Sequence, residues 1–288
     1  MTYALVLGSG GVTGIAWETG LLKGLRDGGL DLTGADLILG TSAGSVVGTQ
    51  VATGVSLDEL YLRQVTSARG PRERPPNVGR LLDLSSAGAA DGRARIQSRP
   101  TKEVLAWIGG QARAASTRIN EATQIAVIEA RLPVHDWPDR RLLVTAIDTA
   151  TGDLVVWERS SDVPLPRAVA SSCAVPWVYP PVKINGRRYM DGGMRSATNA
   201  DLVAGQDLVV IVAPAAASGW SKLVDEEADE LRAAGACVVV VIPDCAAIEA
   251  IGPNPLDPAL RTPAAEAGLA QGLAAAGTMA EIRAHLTA

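Results

Sequence analysis

Phenylalanine is absent from this chain, and aromatic side chains make up only 3% of it. A surface that stacks nucleobases on a row of rings is therefore not expected. Histidine occurs twice, at His135 and His285, which leaves little material for imidazole chemistry. Three cysteines, Cys173, Cys237 and Cys245, are too few and too scattered for a disulfide framework or a thiolate zinc site. They read as reduced core or near-core thiols of a cytoplasmic protein. The acids are dispersed, with no His/Asp/Glu cluster at ligand spacing, so neither a metal nor a cofactor is expected. No apolar run approaches the roughly 18 residues of a membrane span. The N-terminal stretch shows no basic start or cleavage-like site, so no secretory leader is expected. A net charge of −5 argues against a nucleic-acid partner.

What is present is an ordinary globular composition. Of 288 residues, 47% are hydrophobic and 20% charged. That suits a single α/β domain over 1–288 with ample core. Short apolar runs read as buried strands at Tyr3–Leu7, Leu37–Leu39, Leu142–Ile147, Leu208–Val212 and Val238–Ile242. Helical spacing marks Ile15–Arg26, Ser45–Thr53, Lys102–Arg113, Asn120–Leu132, Leu165–Ser172 and Lys222–Ala234. Leu154–Trp157 completes a hairpin with the strand before it. Asn185-Gly186, between Val182–Ile184 and Arg187–Tyr189, is a type I′ hairpin turn. Strands separated by helices imply a mostly parallel central sheet with helices on both faces. Asn254–Pro263 carries three prolines and reads as a loop; the Ala-rich remainder reads as helical. Asp244 reads as a strand-end residue, and Asp225–Glu230 as a solvated helix face. Between Ser67 and Pro100, seven arginines face three acids. That segment is read either as a solvated loop or as a mobile lid or basic face toward anionic lipid, with a lid insertion spanning about 67–120. Leu81–Leu84 is a candidate lid helix.

The chemistry concentrates in three stretches. Gly40-Thr41-Ser42-Ala43-Gly44 joins a short strand to a helix, which is the G-x-S-x-G pattern of a nucleophile elbow. Ser42 is the candidate nucleophile. The helix behind it aims its positive dipole end at the place where an oxyanion would develop. Gly8-Ser9-Gly10-Gly11-Val12-Thr13-Gly14 follows the first strand, and Gly10 and Gly11 are the candidate oxyanion donors, since consecutive glycines let backbone N–H groups approach a substrate oxygen. For the base, His285 would complete the order Ser42, Asp191, His285, but too few strands precede the serine for the usual α/β-hydrolase. Asp191, in Asp191-Gly192-Gly193 directly after the hairpin, is the better candidate. A carboxylate near pKa 4 is a weak base for a serine, so the oxyanion donors and helix dipole would have to assist.

These three motifs, in this order, resemble the patatin-like phospholipase family. Ser171 to Pro176, Tyr179-Pro180-Pro181, Gly186 to Tyr189, and Asp148 with Thr151-Gly152 extend the resemblance over about residues 3 to 213. The resemblance implies a three-layer sandwich and a Ser42–Asp191 dyad working without histidine. It also implies Gly10 and Gly11 as the oxyanion hole and a lipid or ester substrate; any membrane contact, through the arginine-rich segment, is expected to be peripheral and transient. Two positions depart from it: Ser9 stands at a usual glycine and Thr13 where arginine is common, which removes a charge that would support the loop or an anionic head group.

The leading expectation is a lipid acyl hydrolase working through an acyl-Ser42 intermediate. An acyltransferase using the same dyad and a non-catalytic lipid-binding protein of the same fold are the alternatives. A nucleotide site is disfavoured, because the glycine spacing is G-x-G-x-x-x-G and no lysine follows in the P-loop position.

Overall fold

A computed structural model describes residues 2–66, 98–218, 220–277 and 282, and structural statements below concern these. Eight strands form one sheet. They are β1 (Tyr3–Leu7), β2 (Leu37–Gly40), β3 (Arg141–Asp148), β4 (Leu154–Trp157), β5 (Val182–Ile184), β6 (Arg187–Asp191), β7 (Leu208–Val212) and β8 (Cys237–Val241). Pairing runs β5-β6-β3-β2-β1-β7-β8, with β4 added to β3. The four contacts among β3, β2, β1, β7 and β8 are parallel; β4, β5 and β6 pair antiparallel.

The pleat sorts side chains between two cores. Tyr3, Leu5 and Leu7 face one cluster, and Ala4 and Val6 face the other. The first is covered by α1 (Gly11–Asp27), α2 (Ala43–Ala52), α3 (Leu57–Val65), α5 (Glu121–Arg131) and α6 (Leu165–Ser172). The second is covered by α7 (Ser221–Ala233) through Val224, Ala228 and Leu231. The remaining helices are α4 (Lys102–Ala114), α8 (Cys245–Ile251) and α9 (Arg261–Ala276). This is the expected three-layer α/β arrangement, thicker on one side.

Helix α1 is buried nearly all round because α9 closes its outer side. The two backbones touch. A Cβ on Gly20 or Gly24 would collide with the carbonyls of Ala265 or Leu269, and one on Gly268 or Gly272 with those of Trp17 or Leu21. Small residues at four-residue spacing let helices cross this closely. Trp17 Nε1 fastens the pair by donating to Gln271 Oε1 at 3.0 Å.

Several expectations need correction. Helix α1 begins at Gly11, not Ile15, so half the glycine stretch is helical. Helix α9 begins at Arg261, inside the expected loop; Pro263 sits in its first turn, where the missing N–H costs nothing. Asp244 is the N-cap of α8, accepting from Ala247 N–H, and Cys245 beside it is exposed. Within the acidic run, Glu227 is buried. Helices α3 and α8 were not expected. The candidate lid helix Leu81–Leu84 and most of the arginine-rich segment lie outside the described residues. Arg99, at its end, faces Glu227, Asp201 and Glu230 instead of lipid.

Candidate active site

Ser42 sits two residues beyond β2 with φ +54°, a left-handed conformation that strains a residue bearing a side chain. Four groups hold it there. Its N–H donates to Ser172 Oγ at 2.9 Å. Its carbonyl accepts from Ser45 Oγ at 2.6 Å, Ser45 N–H at 2.9 Å and the Cys173 thiol at 3.3 Å. The glycine at 44 is required by close approach: its N–H donates to Gly8 O at 2.9 Å, and a Cβ would strike the Leu7 carbonyl.

Asp191 ends β6 and is buried. Its Oδ2 accepts from Ser42 Oγ at 2.7 Å, and its Oδ1 accepts from Gly193 N–H at 2.7 Å. Burial pushes its pKa from 3.8 up to about 7, although the hydrogen bonds from Ser42 and Gly193 oppose the rise. The weak-base difficulty is thereby eased, since a base near the working pH transfers protons best.

Strand register explains how residues so distant in sequence meet. Val144 of β3 pairs with Gly40 on β2 and with Trp157 on β4, so β2 and β4 lie on opposite edges. Ala146 pairs with Val155 on β4 and with Asp191 on β6, so β6 is also opposite β4. Strands β2 and β6 therefore share one edge of β3, end to end, and the dyad lies where both stop. Thr145, between the two pairings, has its hydroxyl 2.9 Å from that of Thr41. Asn199 clamps both ends, donating to Thr41 Oγ1 at 3.1 Å and to the Gly192 carbonyl at 3.3 Å. The buried Glu227 braces that loop, accepting from Thr198 Oγ1, from Ala200 N–H at 3.2 Å and from Arg99.

The glycine loop leaves β1 at the same end. Ser9 N–H donates to the Ala197 carbonyl at 2.7 Å, Gly10 is extended, and Gly11 has φ +64°. Among the described residues, no acceptor takes the N–H of Gly10, Gly11, Val12 or Ala43. Thr13, where arginine was the resemblance's expectation, ties the loop down differently: its N–H and hydroxyl both donate to the Pro255 carbonyl, at 3.0 and 3.3 Å. Ser9 Oγ packs against Gly193, buried and without a partner among the described residues.

Ser42, Asp191, Gly10 and Gly11 line one cavity of about 370 Å³. It opens at the carboxyl ends of β1, β2 and β7, the usual ligand face of such a sheet. Its wall is mostly apolar, including Val12, Ile15, Trp107, Ile108, Val175 and Leu256. Cys173 also borders it, but burial and the Asp191 charge push its thiol up to about 12, so it stays protonated. Of the two histidines, the described one, His135, does not join the site. His135 is exposed with Nε2 3.0 Å from the Glu129 carbonyl, and His285 lies outside the described residues. Among the described residues, no group of three or more His, Cys, Asp or Glu could hold a metal ion. Glu18 on α1 is fully buried, and burial pushes it well above the carboxylate range against the opposing pull of the Gly8 N–H. Sequence reasoning missed Ser172, Asn199 and the Ala43 N–H. Only the last carried a signal, as the residue after an elbow nucleophile.

Fold and site thus define an α/β protein with a serine on a strand–helix elbow and a buried acid against it. A family model for patatin-like phospholipase matches residues 5–204, and the chain belongs to that family. Uncharacterized NTE family proteins of Mycobacterium bovis and Mycobacterium tuberculosis are 29% identical over 213 residues, covering 73% of this chain and 48% of theirs. The chain thus spans about half the length of the curated relatives it matches. Among solved structures, VipD from Legionella pneumophila aligns over 96% of this chain and 67% of its own, at 14% identity and a TM-score of 0.45. The type III effector protein ExoU aligns over 94% and 53%, at 16% identity and a TM-score of 0.35. No helix among the described residues is long and apolar enough to cross a membrane.

Proposed function

We propose that this protein is a lipid acyl hydrolase that cleaves carboxylic esters through an acyl-Ser42 intermediate. The observation that carries the reading is the 2.7 Å hydrogen bond from Ser42 Oγ to Asp191 Oδ2, inside an apolar cavity, with the carboxylate raised to about 7. Ser42 Oγ attacks the ester carbonyl as Asp191 takes its proton. The N–H groups of Gly10 and Gly11, with Ala43 as a third donor, receive the oxyanion. The proton returns to the leaving alcohol, and water, deprotonated by Asp191, then frees the acid and restores Ser42. The apolar wall suits an acyl chain, and the exposed Trp107 and Val104 on its rim support peripheral contact with a membrane. The three free thiols fit a cytoplasmic setting, which cell fractionation tests.

A phosphonate probe for active-site serines tests the dyad. Wild type should label, Ser42→Ala should not, and Asp191→Asn should label about 10²- to 10⁴-fold more slowly. Folded wild-type protein that stays unlabelled would overturn the reading in favour of a non-catalytic lipid binder.

A further inference from the structure

One strained residue stands beside the cavity, and the proposed reaction does not use it. Five described residues other than glycine have positive φ: Ser42, Asp162, Trp177, Asn185 and Asn199. Ser42 is the elbow serine, and Asp and Asn tolerate the left-handed region through their short polar side chains. Trp177, at φ +64°, is the outlier. A residue this bulky stays left-handed only where its surroundings fix it.

Those surroundings are two stretches of the cavity wall. The chain arrives at Trp177 from the nucleophile: Ser172 Oγ accepts from the Ser42 N–H, the Cys173 thiol donates to the Ser42 carbonyl, and the Ala174 carbonyl accepts from the Asp191 N–H at 3.0 Å. Residues 175–179 then turn, with the N–H groups of Val178 and Tyr179 donating to the Val175 carbonyl at 3.2 and 2.9 Å. Val175, Val178 and Tyr179 pack with Val12 and Leu256, and this cluster forms one stretch of the wall. Trp177 alone of the turn joins a different cluster, with Leu105 and Ile108 of α4, Met190 and Met194. Ile108 and Met194 line the cavity; Trp177 does not, and stands behind them. Helix α4 has a seat of its own, since a Cβ on Gly109 would strike the Thr149 backbone and one on Gly152 the Lys102 carbonyl. What Trp177 adds is a tie between α4 and the turn beside Ser42.

Resting on the hydrolase reading of the cavity, we infer that Trp177 is a positioning residue for substrate selectivity. Its ring, carried on a strained backbone, fixes the spacing between α4 and the turn beside Ser42, and so sets which acyl chains the cavity admits. This deepens the proposed function from ester cleavage to a choice among acyl groups. The left-handed backbone is the cost of aiming one side chain of the turn away from its neighbours.

The test measures kcat/KM for p-nitrophenyl esters from acetate to decanoate, each below its micelle concentration, and reads the ratio between the best and the poorest ester. That ratio does not depend on how much of a preparation is folded, so a merely structural loss leaves it unchanged. Trp177→Gly accepts the left-handed backbone and removes the ring. It should shrink the ratio at least about tenfold, the lower end of what one methylene decides in a shaped apolar pocket. Trp177→Ala should shrink it equally while melting lower than Trp177→Gly, because alanine keeps the strain. Trp177→Phe should keep most of it. A wild type that treats the series alike, or a ratio that survives Trp177→Gly or Trp177→Ala, overturns the inference. Should those two variants fail to fold, Trp177→Leu decides by the same ratio. Calorimetry on Ser42→Ala, with and without Trp177→Gly, reads binding of the matching ethyl esters where no turnover occurs. Chain-selective binding that Trp177→Gly flattens, without hydrolysis by wild type, would sink the hydrolase reading and leave the role of Trp177 standing; hydrolysis whose selectivity survives Trp177→Gly would do the reverse.

Discussion

Asp191 is proposed as the base because it is buried. In water its carboxylate would be nearly always ionised and a poor base; inside the sheet end, desolvation raises it to about 7. The base must be ionised to accept the Ser42 proton. The kcat/KM for a soluble ester should therefore climb as pH rises through about 7 and level off above it. A profile already flat from pH 5 would show that the carboxylate is not raised. The same shift has a stability side. A raised pKa means the folded state holds its proton more tightly than the unfolded one, so this contribution is full below about pH 3.8 and is lost as pH rises to about 7. Asp191→Asn should thus lose activity while melting higher than wild type above pH 7. The meeting of Ser42 and Asp191 was legible in the sequence, since the serine sat between glycines at a strand–helix turn and the aspartate between a hairpin and two glycines. The perturbed pKa was not, because burial is a property of the assembled sheet.

At the scale of elements, glycine does two different things. Around Ser42 it makes room for a sharp turn; between α1 and α9 it removes side chains so that two helices touch. Gly24→Ala would drive a Cβ into the Leu269 carbonyl. Urea unfolding should show a loss of about 1–3 kcal/mol, the range for forcing atoms into a packed core. Gly34→Ala, which meets nothing within 4 Å, should change little. The strands and the long helices were legible from apolar runs and periodicity. The start of α1 was not, because glycines read as loop until their packing partners are known. Glu227 was misread for a related reason: a run of acids looks solvated unless Thr198 and Arg99, from elsewhere in the chain, are seen to meet it.

For the whole molecule, the part beyond the family match is structural. Strands β7 and β8 and helix α9 follow residue 204, yet β7 is the parallel neighbour of β1 and Pro214 borders the cavity. The net charge of −5 gives no general attraction to an anionic surface, so contact with lipid would rest on the apolar rim. Trp107 is 55% and Val104 45% exposed there. Trp107→Ser should depress hydrolysis of vesicle lipid several-fold more than hydrolysis of a monomeric ester. Equal losses on both would place Trp107 in the cavity wall alone.

The end-to-end placement of β2 and β6 on one edge of β3 has a consequence for how the protein can fail. Serine and base are separated by 149 positions of chain but by a single step, Thr145, on the strand that aligns them. A slip of one residue in either pairing moves its proposed catalytic group by about 3.3 Å, more than the whole Ser42–Asp191 bond. A molecule with a compact but misregistered sheet would therefore be silent. The specific activity of the proposed hydrolase becomes a head count: it measures what fraction of a preparation has closed its sheet in the one correct alignment.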